Sequence, residues 1–450
     1  MKLASIVLAA GKGTRMKSRH PKVLHQVCGK PMIHYAVLVA KLNGAEKTVL
    51  VVGHGAEEVQ KYLGDRVDFA LQNEQLGTGH AVQCALPSIP DEFDTILVTY
   101  GDMPLLTAET LQKLVQTQAN NAGPLSLVTM IDEDSRGFGR ILRGADGAVT
   151  AIVEEAQCTP EQLAISELNV GAYCFDANWL KQAIERLPLS PKGEYYLTDV
   201  VSIAVQDGLR VAAFTVNDNH EALGINTRVH LAEAETVMRR RILEQCMLAG
   251  VTVVDPASTY VEDGVTIGMD TILQPNTFLR GDTVIGEGCV IGPNTIVTDC
   301  QVGNRCVILA VVMEKAIVED GVDMGPFARL RKGAHLGPGV HMGNFGEVKD
   351  SYLGAGTKMG HFSYIGNATI GKDVNIGAGT ITCNYDGEKK HPTVIGDRVF
   401  IGSDTMLVAP LRIEDDARTG AGAVVTHDVP SGEVVVGVPA KPLRKSKASE

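Results

Sequence analysis

The stretch IGDRVFIGSDTMLVAPLRIEDDARTGAGAVV, from Ile395 to Val425, puts Ile395, Ile401, Leu407, Ile413, Thr419 and Val425 six residues apart. A period of six fits neither an amphipathic helix nor an alternating strand. It is the period of a parallel β-helix, in which three hexapeptides complete one triangular coil. The aliphatic residue points into a thin prism, and a small residue or glycine beside it allows the bend. One coil cannot bury its own core, so coils have to stack.

The same phase runs upstream through Val318, Met324, Leu330, Leu336, Met342 and Val348. Glycine often follows the aliphatic residue, as in Ile285-Gly286, Ile291-Gly292, Ile365-Gly366 and Ile376-Gly377. The repeats from about 261 to 436 predict roughly ten coils and, at ~4.8 Å per strand, a column of about 48 Å. The phase slips between Val348 and Leu353 and between Ile365 and Ile370. Thr382 to Thr393 breaks it and contains the turn Asn384-Tyr385-Asp386-Gly387, which predicts a projecting loop.

Before the repeats, residues 228–249 carry one apolar stripe at helical spacing: Leu231, Ala234, Met238, Ile242, Cys246 and Ala249, closed by Gly250. This predicts a rigid connecting helix with Arg239-Arg240-Arg241 on its solvated side. Residues 1–226 alternate strands with helices: strand to Ala10, helix Pro31–Asn43, strand Thr48–Val52, helix Gly77–Leu86, strand Thr95–Thr99, and a helix capped by Thr107. Such alternation predicts a Rossmann-like α/β domain with a mostly parallel sheet, its ligands at the carboxyl ends of the strands. The expected division is 1–227, a linker helix 228–250, a β-helix 251–436 and a tail 437–450.

The net charge of −12 argues against a general nucleic-acid binder, though not against a local cationic pocket. The apolar fraction is 44% and the charged fraction 21%, ordinary values for a soluble chain. Nine scattered cysteines without a Cys-x-x-Cys pair suit a reduced cytoplasm better than a disulfide framework. No signal peptide or membrane span is expected.

At the end of the first strand stands Leu8-Ala9-Ala10-Gly11-Lys12-Gly13-Thr14-Arg15-Met16, followed by Lys22. Glycines there let backbone N–H groups approach an anion, and Lys12, Arg15 and Lys22 add charge. The loop is not a Walker motif, and Met16 stands where a dinucleotide fingerprint needs its third glycine. A bare turn with solvated cations is the competing reading.

With Gln72-Asn73-Glu74-Gln75-Leu76-Gly77-Thr78, Tyr100-Gly101-Asp102 and Gly137-Phe138-Gly139-Arg140 in the first half, the chain resembles a known family over nearly its whole length. In the second half the resemblance rests on Phe327-Ala328-Arg329-Leu330-Arg331, Gly360-His361 and the run from Asn375 to Gly387. The family is the bacterial bifunctional N-acetylglucosamine-1-phosphate uridyltransferase and glucosamine-1-phosphate N-acetyltransferase. The first loop alone marks sugar nucleotidyltransferases in general.

The resemblance implies acetyl-CoA-dependent N-acetylation of glucosamine 1-phosphate on a left-handed β-helix. Uridylyl transfer from UTP to N-acetylglucosamine 1-phosphate follows, with Mg²⁺ and release of pyrophosphate, feeding cell-envelope glycan synthesis. It implies a cytoplasmic homotrimer that acts on small molecules, without nucleic-acid or membrane partners. For the nucleotide it implies Leu8, Ala9, Ala10, Gly11, Gln72, Gly77, Thr78, Tyr100 and Gly101; for the amino sugar, Gly139, Glu154 and Asn169. Arg15 and Lys22 would lie over the phosphates as catalytic residues, and Asp102 and Asn226 would hold Mg²⁺. Without the resemblance, Asp102 reads as a turn residue and Asn226 as a helix cap.

For acetyl transfer, the acceptor is an amine with a pKa of about 7.7–8.0, mostly ammonium at neutral pH, so a base is needed. The resemblance assigns His361, which could otherwise be a hydrogen-bonded corner residue. It places Arg331, Lys349, Tyr364 and Asn375 on the sugar phosphate, and Ala378, Asn384, Tyr385, Ser403 and Ala421 along acetyl-CoA. The family commonly has a cofactor-contacting arginine near the position of Gly437; here Lys441, Arg444, Lys445 and Lys447 of the tail are the nearest cations. His335 and His341 are expected on different prism faces, which disfavours a zinc site. Two other readings compete: a single-function sugar nucleotidyltransferase with a structural β-helix, and a non-enzymatic binding protein of similar architecture.

Overall fold

The computed structural model describes residues 2–443. It divides into two compact units, Met1–Met238 and Arg239–Glu450. The division falls inside one continuous helix, Arg228–Leu248. Arg444, Lys445 and Lys447 lie outside the described residues.

The first unit is built on a sheet whose strands run in the order Val211–Thr215, Leu125–Ile131, Glu167–Asp176, Thr95–Tyr100, Leu3–Leu8, Lys47–Val52 and Asp68–Leu71. Leu3–Leu8 pairs in parallel with both neighbours. Glu167–Asp176 runs antiparallel to both of its own, and Arg140–Arg143 and Val149–Val153 add a further antiparallel pair off this path, so the sheet is mixed. Leu3–Leu8 is buried on both faces, which is why it reads as a continuous apolar run. The helices fall where expected: Met32–Leu42 begins after Pro31, and Ala108–Ala119 is capped by Thr107, whose side chain accepts from the N–H of Thr110.

Register fixes the position of the site. Leu8 stands opposite Tyr100, and the Gly101 N–H donates to the Leu8 carbonyl at 2.9 Å. The glycine loop and Asp102 therefore leave the sheet side by side at its carboxyl edge.

The second unit is a triangular prism whose three sheets hold 12, 10 and 9 strands among the described residues, parallel throughout except for the last strand, Lys441–Pro442. Hexapeptide architecture of this kind is the left-handed parallel β-helix. Leu273, Ile291, Ile308, Met324, Met342 and Met359 line its core from one face. Glycine after the aliphatic residue has a steric reason. A Cβ on Gly286 would lie 2.6 Å from the carbonyl carbon of Gly303 in the next coil. The phase slips are coils one residue short of three hexapeptides: Leu336 pairs with Leu353, and Leu353 with Ile370, each a step of 17.

Between Asn375 and Phe400 the step grows to 25 residues, because Asn384–His391 leaves the prism as a loop closed by the Tyr385–Lys390 bridge. Leu243 of the helix joins the prism core, with Ile242 and Cys246 packed against it. One expectation fails here. Arg239 is not simply solvated; its guanidinium stacks 4.3 Å from the Tyr260 ring centroid, where the planar cation gains from the ring's π face.

Candidate active sites

In the first unit a cavity of about 620 Å³ opens at the carboxyl edge of the sheet. Leu8, Ala9, Ala10, Gly11, Arg15, Lys22, Gln72, Gly77, Thr78, Tyr100, Asp102 and Asn226 all line it. The N–H groups of Gly11, Lys12 and Gly13 donate to nothing among the described residues. A Cβ on Gly11 would meet open space, whereas one on Gly13 would lie 2.7 Å from the Lys22 Cβ. Gly13, at φ +60°, thus lets the Lys22 stem pass beneath the loop. Met16 is fully buried and pins the loop from behind. Lys12 and Arg15 are exposed and form no ion pair among the described residues. Unused N–H donors beside unpaired cations suit an anion such as phosphate.

Lys22 Nζ donates to Asp102 Oδ2, and also to Asn226 Oδ1 at 2.7 Å. The two oxygens proposed as metal ligands therefore converge on one point, already held by a cation. The Ile225 N–H donates to the Asp102 carbonyl at 3.0 Å, tying the two segments together. Asn226 is not the helix cap: Thr227 Oγ1 accepts from the N–H of His230. Its amide is left for the cavity. Neither is Asp102 merely a turn residue, since its carboxylate faces Lys22. One carboxylate and one amide oxygen suit Mg²⁺, which takes few protein ligands and completes its shell with phosphates and water.

Gln72 is almost fully buried. Its Nε2 donates to the Gly77 carbonyl at 3.0 Å and lies 3.1 Å from His80 Nδ1. Both amide hydrogens are thereby used, which leaves Oε1 as an acceptor. Tyr100 packs on Gly171, where a Cβ would lie 2.7 Å from the ring. Burial, then the charges of Glu154 and Asp102, hold the Tyr100 phenol well above its ordinary pKa, so it stays neutral.

A second hollow shares Tyr196 with the first and contains Glu154. Burial raises the Glu154 pKa although the Thr198 hydroxyl, 2.9 Å away, supports the charged form. Gly139 lies nearby, its carbonyl accepting from the Asn169 N–H at 2.9 Å. Asn169 is buried, with Nδ2 donating to the Tyr173 hydroxyl at 2.7 Å and Oδ1 accepting from the Gly171 N–H at 3.3 Å. A carboxylate kept costly by burial and a fixed amide can read a neutral polar ligand such as an amide-bearing sugar.

In the second unit His361 occupies the corner between the strand Lys358–Met359 and the strand Ser363–Gly366. It is exposed and makes no hydrogen bond among the described residues, so it is not a structural corner histidine. Lys358 pairs with Asn375, Asn375 with Phe400, Phe400 with Arg418, and Arg418 with Val434. Three residues on from each stand His361, Ala378, Ser403, Ala421 and Gly437. These five form one corner column, about 19 Å long at ~4.8 Å per coil. A small-residue track thus starts at the histidine. It runs through the expected cofactor positions to Gly437.

Arg331, Lys349 and Tyr364 share the face beyond this corner. Arg331 donates to Glu347 Oε1 at 3.0 Å. Lys349 has its pKa lowered, first by Lys390 and then by Arg331, although Asp350 lies 4.0 Å away, so three cations are gathered at one place on this face. Lys390, on the projecting loop, was missed in the sequence. Its only signal was a basic pair, Lys389-Lys390, after the turn. Asn375 lies on the face before the corner, away from these cations. Asn384 is buried and donates to Asn367 Oδ1 at 2.7 Å, so it anchors the loop, while Tyr385 is exposed. His335 and His341 pair with Glu319 and Asp323 on different faces, and no metal-ligand cluster exists among the described residues. None of the nine cysteines is in a disulfide. Among the described residues no helix is long and apolar enough to cross a membrane.

Residues 5–159 match the family described as the MobA-like NTP transferase domain, and residues 392–427 the hexapeptide repeat of succinyl-transferase. The chain is 49% identical to the bifunctional protein GlmU of Heliobacterium modesticaldum, over 97% of this chain and 95% of that protein. Against the GlmU of Exiguobacterium sibiricum identity is 47%, over 96% of each. Against that of Shouchella clausii it is 44%, over 95% and 94%. The chain belongs to the family of bifunctional GlmU proteins, in which a nucleotidyltransferase domain and a hexapeptide acyltransferase domain share one polypeptide.

Proposed function

We propose that the chain acetylates glucosamine 1-phosphate with acetyl-CoA in its second unit and transfers uridylyl from UTP to N-acetylglucosamine 1-phosphate in its first. The product, UDP-N-acetylglucosamine, supplies cell-envelope glycan synthesis. The observation that carries the bifunctional reading is the column from His361 to Gly437. A structural β-helix has no use for an unbonded histidine at the head of a small-residue track.

In the first unit the Gly11–Gly13 cradle, Lys12 and Arg15 bind the triphosphate. Gln72 Oε1 accepts from N3–H of uracil, a donor that cytosine lacks. Asp102 and Asn226 hold Mg²⁺, which when bound offsets phosphate charge. Lys22 adds a cation at the phosphates, and Glu154, Asn169 and Gly139 orient the amino sugar for attack at the α-phosphorus. The uncommitted cradle and cations also speak against a non-enzymatic binding protein.

In the second unit Arg331, Lys349 and Lys390 hold the sugar phosphate, with Tyr364 and Asn375 on the sugar. His361 takes a proton from the ammonium group, and the freed amine attacks the thioester. Ala378, Ser403, Ala421 and the loop residues Asn384 and Tyr385 flank acetyl-CoA.

The active assembly is a homotrimer. Phe327, Phe345 and Phe362, which are 62%, 62% and 56% exposed, form a ridge beside His361. Two of them adopt φ of +64° and +58°, a conformation that bulky residues avoid. A neighbouring copy covers this ridge and closes the corner between Asn375 and Tyr364. Free cysteines favour a reduced, cytoplasmic compartment.

The deciding experiment offers glucosamine 1-phosphate, acetyl-CoA, UTP and Mg²⁺ to the full chain. Release of both thiol and pyrophosphate is expected. Asp102→Ala should remove only pyrophosphate release when N-acetylglucosamine 1-phosphate is supplied, and His361→Ala only thiol release. With N-acetylglucosamine 1-phosphate also supplied, pyrophosphate without thiol would leave a single-function nucleotidyltransferase, and neither product a binding protein.

A further inference from the structure

We propose that Lys22 is the resident cation of the Asp102–Asn226 oxygen pair, and that a divalent cation enters this site only by exchange with the Lys22 ammonium. The inference rests on the metal reading given above and adds an order of events to it.

The pair is rigid. Asp102 follows the strand Thr95–Tyr100, and Asn226 is held beside it by the Ile225 N–H on the Asp102 carbonyl. The oxygens converge on an ammonium bonded to both, which already neutralises the carboxylate. Its surroundings are sheltered, with the Lys22 and Asp102 side chains 12% and 23% exposed. In such a place a second, doubly charged cation beside the ammonium is strongly disfavoured. Lys22 and the metal are therefore alternative occupants of one position.

Lys22 can leave only if another anion receives it. Its stem passes under Gly13, so the next acceptor within reach is a phosphate seated in the Gly11–Gly13 cradle. Lys12 and Arg15 can attract that phosphate first, since neither is engaged in an ion pair among the described residues. Nucleotide arrival draws Lys22 onto phosphate, vacates the oxygen pair and opens it to the metal. Part of the coupling between nucleotide and metal is thus a single lysine changing partners, and ligand-free protein binds divalent cation poorly because the lysine is in its place.

The test measures binding of Mn²⁺ alone to the full chain, without nucleotide, by electron paramagnetic resonance. Lys22→Met should bind Mn²⁺ at least fivefold more tightly than the parent, the lower end of ordinary site-to-site coupling. Adding Asp102→Asn to Lys22→Met should abolish that gain. Retained acetyl transfer and an unchanged melting temperature certify the fold, and Lys22→Gln serves if the methionine variant does not fold. Mn²⁺ affinity in the lysine variant within twofold of the parent, or weaker, overturns the exchange. A gain that survives Asp102→Asn instead overturns the metal reading of Asp102 and Asn226, and the exchange with it.

Discussion

His80 Nδ1 lies 3.1 Å from the side-chain nitrogen of Gln72, whose other hydrogen points to the Gly77 carbonyl 3.0 Å away. With two acceptors on its nitrogen the amide cannot rotate, and Oε1 is aimed by default. The other ring nitrogen, Nε2, lies 3.7 Å from Cys84 Sγ. The proposed lysine exchange concerns metal entry into this cavity; the His80 contact bears on the proposed selection of the base. His80→Phe should loosen the amide by the worth of one neutral hydrogen bond, about 0.5–1.5 kcal/mol. The KM for UTP should rise roughly three- to tenfold, discrimination against CTP should fall by a similar factor, and kcat and acetyl transfer should hold. Initial rates of pyrophosphate release with each nucleotide check this.

His361 gives the opposite kind of prediction, because it has no hydrogen bond to lose among the described residues. His361→Asn should lower acetyl transfer by about 10² or more, the scale of a lost general base. It should leave the melting temperature and uridylyl transfer unchanged. A parallel thermal melt and thiol assay separate the two effects, and a destabilised variant would return His361 to a structural role.

The parts of the molecule built by repetition could be read from the sequence. The six-residue phase sets which side chains face the prism axis, and its interruption after Thr382 marks the loop. The carboxyl-edge placement of Gly11 and Asp102 followed from strand and helix alternation. What stayed hidden joins positions with no local period between them. Lys22 meets Asn226 across 204 residues, and Thr198 meets Glu154 across 44. Lys390 reaches Lys349 only because a loop folds back on the prism. The stacking of Arg239 on Tyr260 was misjudged because charge alone suggests solvent, while a guanidinium also packs well on a ring. That Asn375 and Tyr364 lie on two faces of a corner also depends on coil lengths, which vary between Val290 and Asp323.

Glu154 offers a pH-dependent signature. Burial raises its folded-state pKa above the ordinary 4.5, against the Thr198 hydrogen bond. The unfolded chain therefore loses this proton first as pH rises. The stabilising contribution of protonated Glu154 is complete below the unfolded value and lost as pH climbs through the raised one. Glu154→Gln removes the charge and keeps an oxygen for the Thr198 hydroxyl. The variant should melt higher than the parent at pH 8, and the two should converge near pH 4. Its KM for N-acetylglucosamine 1-phosphate should rise even so, since the carboxylate is exchanged for an amide in the sugar hollow. Melting curves at the two pH values decide the matter, and a gap that widens on acidification would reverse the sign.

Ser403 stands third in the column that begins at His361, exposed, with Ala378 on one side and Ala421 on the other. Its Cβ points away from the prism core, so a larger side chain costs the fold little while filling the track. Ser403→Leu should raise the KM for acetyl-CoA by about tenfold or more, equivalent to some 1.4 kcal/mol of lost cofactor binding. The KM for glucosamine 1-phosphate should change less than twofold, because Arg331, Lys349 and Lys390 lie on the neighbouring face. Uridylyl transfer in the other unit should be untouched. The split between the two KM values is the diagnostic. Equal rises would mean that the column and the cationic face hold one ligand in common, and no rise at all would move the cofactor off this corner.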